Sequence, residues 1–167
     1  MRLIDPLIME LDREAASTRK MLERVPEGKN DWKPHPKSTA LGKLATHVAT
    51  IPGWSETLKG DGFNVGVDKR DVPPPPADAS GLVALHDKTI AQAKATLNTL
   101  DDERAMGLWS LSMMGKPVFS MPRIAVVRTL VLNHAIHHRG QLSVYLRLLD
   151  VPIPGMYGPS ADENPFA

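Results

Sequence analysis

The sequence predicts an all-α fold, a four-helix bundle with one small hairpin between helices three and four. Three observations point there: four stretches repeat apolar residues at steps of three and four, strand-like alternation is nearly absent, and the chain has 167 residues, 42% hydrophobic and 23% charged. That length and composition suit one domain of about 100 to 200 residues, here 1–167 with residues 151–167 as a capping extension.

The first helix is read from Ile4, Leu7, Ile8, Leu11, Ala15, Thr18, Leu22 and Val25, which form one stripe. Asp5 and Pro6 suit the N-cap and first helical positions, and Pro26 with Gly28 supplies the stop. Ser38 is the expected cap of a second helix through Leu41, Leu44, Val48, Ile51, Trp54 and Leu58, with a kink or break at Pro52. Residues 60–80 contain Pro73, Pro74, Pro75 and Pro76, which favour an extended connection. Ser80 is the expected cap of a third helix carrying Leu82, Val83, Ile90, Ala93, Leu97 and Leu100. Trp109, Leu111 and Met113 then alternate before Gly115, Lys116 and Pro117, the pattern of a hairpin. Pro122 opens the last helix, which runs to Leu149 and would span roughly 42 Å at about 1.5 Å per residue.

Composition narrows the chemistry. The chain has 20 basic and 19 acidic residues and no cysteine. A net charge of +1 gives no support for binding nucleic acid or an anionic membrane. Without cysteine there is no thiolate nucleophile or ligand, so any metal binds through nitrogen and oxygen. Acidic residues and Pro6 interrupt the N-terminal apolar residues, and no stretch has the roughly 18 consecutive apolar residues of a membrane span, so a cytoplasmic protein is expected.

Six histidines remain: His35, His47, His86, His134, His137 and His138. On a helix turning 100° per residue, His134 and His138 fall within the stripe of Val127, Leu130, Val131, Leu142, Tyr145 and Leu149, whereas His137 falls at its edge. An i,i+4 pair brings Cβ atoms to about 5 to 6 Å, which suits chelation of one ion. The competing reading is two core histidines hydrogen-bonded to backbone, serine or water. A third ligand must come from another helix, and spacing allows either His47 or His86; His35, between two prolines, is expected to face solvent. Three neutral imidazoles would leave coordination positions for water or substrate.

The segment His134-Ala-Ile-His137-His138-Arg139-Gly140-Gln141, followed by Tyr145 and Arg147, resembles the last-helix signature of the DinB family of DinB/YfiT-like metalloenzymes. Asp31-Trp32-Lys33-Pro34 ahead of Leu41-Gly42-Lys43-Leu44-Ala45-Thr46-His47, and the tail with Tyr157, Ser160, Asp162 and Glu163, extend the resemblance over nearly the whole chain. The resemblance implies a bundle, commonly homodimeric, with a divalent metal on His47, His134 and His138; nitrogen ligation suits zinc or nickel ahead of iron, cobalt or manganese. It implies hydrolase or thiol S-transferase chemistry on a small electrophile, with a low-molecular-weight thiol as co-substrate where one is used. The alternative is a non-catalytic, damage-inducible metal-binding bundle. Gln141 is a candidate to bond a group behind the site, Arg139 is expected in a salt bridge or interface, and Trp32 and Trp54 in a pocket wall or the core. Tyr157, Ser160 and Asp162 are expected to close the fold.

Overall fold

A computed structural model describes residues 1–164. Helix α1 spans Asp5–Leu22, α2 Leu41–Thr50 and α3 Ala79–Leu97. A 3-10 helix, Ile51–Lys59, continues α2, so the break expected at Pro52 is a tightening of the helix that begins one residue earlier. After α3 come the short α4, Asp102–Met106, and a hairpin of β2, Leu108–Met113, and β3, Lys116–Pro122. The last helix is one rod of three parts: α5, Arg123–Val126, a π-helical stretch, Val127–Asn133, and α6, His134–Arg147. Seven residues of π-helix amid α-helix are unusual, and such stretches favour functional sites.

The fold is mostly helical but not purely all-α. The expected hairpin forms, turning at Met114 (φ 48°) and Gly115 (φ 79°), the two left-handed positions that a tight hairpin requires. Strand β1, Gly62–Val65, unforeseen in the connection after the second helix, pairs parallel with β2, giving the sheet order β1-β2-β3. It crosses close: a Cβ on Gly62 would lie 2.5 Å from the Ser110 carbonyl oxygen. Arg123 locks the sheet to the bundle, buried and donating to the carbonyls of Leu58 (3.1 Å), Leu108 (3.0 Å) and Gly60 (2.7 Å) and to Asp61 (2.6 Å).

Three expected caps are displaced. Asp5 lies inside the first turn of α1, where its carboxylate accepts from the Arg2 amide at 2.7 Å, and Ile4 holds the cap position. Ala40 holds that of α2 in place of Ser38. Asp78 caps α3 by accepting from the Gly81 amide at 2.8 Å, and Ser80 instead donates to it. An aspartate carboxylate is an acceptor for both groups, which the serine hydroxyl two residues on is not placed to be.

The core divides in two. One half gathers Leu7, Leu11, Leu58, Leu97, Trp109, Val127 and Leu132; the other gathers Met21, Leu22, Leu44, Val48, Leu82, Leu142 and Leu146. Between them the helices carry buried polar residues at one level: Glu14 and Thr18 on α1, Thr46 and Thr50 on α2, His86 and Thr89 on α3, Arg139 on α6. Buried polar groups require partners. Arg139 donates to Glu14 Oε2 (2.7 Å), the Glu14 carbonyl (3.1 Å) and Thr18 Oγ1 (3.1 Å). Thr46, Thr50 and Thr89 bond back into their own helices. The histidine site lies on this polar waist.

Tyr157, Ser160 and Asp162 of the C-terminal segment bond back to the bundle and within that segment. The Tyr157 hydroxyl lies 2.7 Å from both Glu14 and Arg139, Ser160 donates to the Ile153 carbonyl at 2.6 Å, and Asp162 accepts from the Ile153 amide at 2.8 Å and pairs with Arg147. No helix among the described residues is long and apolar enough to cross a membrane.

Candidate metal centre

Three imidazoles meet at the waist. His47 comes from the middle of α2; His134 and His138 come from successive turns of α6, which packs against α2. One ligand nitrogen from each lies within 4.8 Å of the other two. Ring centroids are 5.0 Å apart for His47 and His134, 4.5 Å for His47 and His138, and 4.6 Å for His134 and His138.

The nitrogens suit a shared ion. Nε2 of His47 and Nε2 of His134 are 3.2 Å apart. Two nitrogens each about 2.0 to 2.1 Å from one zinc, at a tetrahedral angle, are separated by roughly 3.4 Å. The outward nitrogens of α6 are engaged: His138 Nδ1 donates to Gln141 Oε1 at 2.7 Å, and His134 Nδ1 donates to the Leu130 carbonyl at 3.3 Å. Those bonds select the tautomer whose Nε2 lone pair is free, as in many histidine metal ligands. Gln141 lies one turn beyond His138 on α6, and Leu130 belongs to the π-helical stretch.

Electrostatics favour neutral rings at His47 and His134. Burial first, and then the charges of His138, His134 and Arg70, together push the His47 pKa down to about 4. Burial also lowers His134, with His138 the next contributor and the Leu130 carbonyl opposing. A cavity of about 620 Å³ opens beside the rings, bordered by Lys37, Leu44, His47, His138, Gln141 and Tyr145, so the cluster is reachable from one side. The Tyr145 hydroxyl donates to the Thr39 carbonyl at 3.1 Å and pins the cavity wall.

The remaining histidines stand apart. His86, which spacing alone left open as a ligand, is 2% exposed and faces the carbonyls of Ala49 (3.4 Å) and Ala15 (3.3 Å). Burial lowers its pKa, and the two carbonyls oppose that shift. His137 is exposed and touches only the outer side of the cluster, its ring 4.8 Å from that of His138. His35 is exposed in its loop. Trp32 stands edge-on to Tyr145 at 5.8 Å, and Trp54 packs on Phe63 at 5.3 Å.

Two neighbours carried no sequence signal. Lys37 borders the cavity, and Arg70, from the proline-rich connection, stacks over the Trp54 ring at 4.4 Å and donates to the Thr50 carbonyl at 3.0 Å. Neither lies in a periodic element, so nothing in their spacing directs them to the site.

Known proteins agree with this architecture. The chain is 23% identical over 160 residues to the uncharacterized protein YrdA of Bacillus subtilis (strain 168), covering 96% of this chain and 91% of YrdA. A DinB-like protein from Bacillus cereus ATCC 10987 superimposes with a TM-score of 0.68 at 24% identity, covering 90% of this chain and 95% of that one. YfiT from Bacillus subtilis, described as a probable metal-dependent hydrolase with an unusual four-helix bundle topology, superimposes with a TM-score of 0.64 at 16% identity, covering 88% of this chain and 87% of YfiT. The family model of the DinB family matches residues 5–165, and this chain belongs to that family.

Proposed function

We propose that this protein is a divalent-metal-dependent enzyme whose ion is held by His47, His134 and His138, acting on a small electrophilic substrate by hydrolysis or by transfer to a thiol. The observation that carries the reading is the convergence of three imidazoles, two of them with their outer nitrogens already bonded, beside an open cavity. A bound ion supplies Lewis-acid chemistry, ionising water or a thiol and polarising an electrophile near neutral pH. With no cysteine in the chain, a thiol nucleophile has to enter as co-substrate. An all-imidazole donor set suits zinc or nickel, with iron, cobalt and manganese as alternatives for the same site.

The protein's own groups orient and shelter. Gln141 holds the His138 ring and the Leu130 carbonyl holds His134, so both present Nε2 to the same point. Leu44 and Val144 give the cavity an apolar side, and Ser38, Thr39 and Lys37 a polar rim. The description of YfiT supports the hydrolase half of the proposal, and the thiol half rests on what the last-helix signature's resemblance implies.

The test is a paired screen of untagged, metal-loaded protein: hydrolysis of esters and amides, and conjugation of glutathione, bacillithiol, mycothiol or coenzyme A to electrophiles. Turnover in either arm that disappears in His47→Ala supports the proposal. Silence in both arms, with the cellular role intact in His47→Ala, refutes it in favour of a non-catalytic bundle.

A further inference from the structure

We propose that the substrate of the histidine site carries an anionic oxygen group, a carboxylate or a phosphate, and that Lys37 holds that group at the rim of the cavity. This rests on the metal-dependent reading above and names a substrate class for it.

The sign of the cavity is the first observation. Among the described residues bordering the space beside His47 and His138, Lys37 is the one lysine, arginine, aspartate or glutamate. That is particular to this cavity, since another, of about 590 Å³, has Glu56, Asp68 and Asp71 among the cations of its lining. A cleft lined by one sign of charge, with apolar Leu44 and Val144 in its wall, focuses the field on whatever enters. A divalent ion on three neutral imidazoles adds charge of the same sign.

Unused donors are the second. Among the described residues the Lys37 ammonium enters no ion pair or hydrogen bond, and the hydroxyls of Ser38 and Thr39 have no partner either. Gln141 Oε1 accepts from His138 Nδ1 at 2.7 Å, which leaves the two N–H donors of the same amide over. One cavity thus collects an ammonium, two hydroxyls and an amide with no acidic acceptor for any of them. That set complements an oxyanion. An ammonium acts as a point charge without the planar fork of arginine, so carboxylate and phosphate both fit it.

A fixed rim is the third. His35 Nδ1 accepts from the Lys37 amide at 3.1 Å, and the His35 carbonyl accepts from the Ser38 amide at 2.9 Å. Tyr145 of α6 donates to the Thr39 carbonyl at 3.1 Å, and Leu41 of α2 donates to the Trp32 carbonyl at 2.9 Å. The backbone under Lys37 is therefore tied to the two helices that carry His47 and His138. Charge along the chain agrees. Residues 29–43 hold Lys29, Lys33, Lys37 and Lys43 against the single acid Asp31, and none of these lysines forms an ion pair among the described residues.

The experiment uses untagged protein loaded with zinc, its metal content measured first. Benzoate, benzylphosphonate as a stable stand-in for a phosphate, and neutral benzamide are titrated by calorimetry into wild type, Lys37→Met, Lys37→Arg and Lys29→Met. The last variant removes an equal charge from the same segment, outside the cavity lining. Lys37 is exposed on its loop, so its replacement leaves folding intact. The expected result is that at least one anion binds wild type more tightly than benzamide and weakens about tenfold or more in Lys37→Met, while Lys37→Arg and Lys29→Met stay within about threefold and metal content is unchanged. Which of the two anions responds identifies the oxygen group. Anion binding that Lys37→Met leaves unchanged sits on the ion alone and overturns the inference. An equal loss in Lys29→Met, or benzamide bound as tightly as both anions, also overturns it. In these cases the metal content stands, and the metal reading with it. Wild type that takes up no metal defeats that reading and this inference together.

Discussion

Replacing Arg139 by alanine tests the polar waist on which the histidine site is built. Arg139 is 3% exposed and Glu14 9% exposed, and their 2.7 Å pair also engages Thr18 and the Tyr157 hydroxyl. Removing the cation leaves a buried carboxylate with only the tyrosine hydroxyl to satisfy it. Breaking one side of a buried pair costs about 3 to 5 kcal/mol, which for a domain of this size lowers the melting temperature by roughly 6 to 20 °C. Urea unfolding of metal-free protein measures the loss without a contribution from ion binding. Two comparisons apportion it. Tyr157→Phe removes one shared bond and costs about 1 kcal/mol, whereas Arg19→Ala, in a pair whose side chains are 43% and 50% exposed, stays below about 1 kcal/mol. The double change Glu14→Leu with Arg139→Met regains most of the stability, because it removes both charges from the interior. An Arg139→Ala loss below about 1 kcal/mol refutes the claim that the pair is buried and mutually dependent.

Further expectations follow from the same contacts. Gln141→Leu frees the His138 ring and weakens metal affinity by about 10- to 100-fold, measured by chelator competition, whereas His137→Ala leaves affinity within about twofold. In metal-free protein the lowered pKa values of His47, His134 and His86 mean that the unfolded chain takes up protons first as pH falls. Stability from this source is therefore full above about 6.5 and declines towards about 4, the value to which His47 is pushed. Thermal melts across that window, compared with His47→Ala, read the slope; a steeper decline in the variant than in wild type contradicts the assignment. Leu132→Ala, at a fully buried position in the π-helical stretch, costs about 2 to 5 kcal/mol in urea unfolding.

The bundle was legible because helix periodicity is local: the stripes of α1, α3 and the last helix follow from steps of three and four, and the hairpin from alternation around Gly115. Strand β1 was not, because its four residues gain their identity from pairing with β2, 48 positions on. The π-helical stretch escaped for a related reason, since a period of 100° per residue cannot report its own local failure. His134 and His138 were selected by angle within one helix, but the choice of His47 over His86 depends on which helix packs against α6, and that is tertiary information. Arg139, expected in a salt bridge or interface, pairs with Glu14. The sequence did not reveal that the opposite side of α6 is buried against Glu14.

The central claim is that His47, His134 and His138 together hold one divalent ion. Elemental analysis of untagged protein, wild type beside the single alanine variants of these residues, His86 and His137, measures it directly. About one ion per chain is expected in wild type and His137→Ala, with its loss in each of the three ligand variants and its retention in folded His86→Ala. A metal-free wild type, or an ion that survives removal of any one of the three ligands, contradicts it.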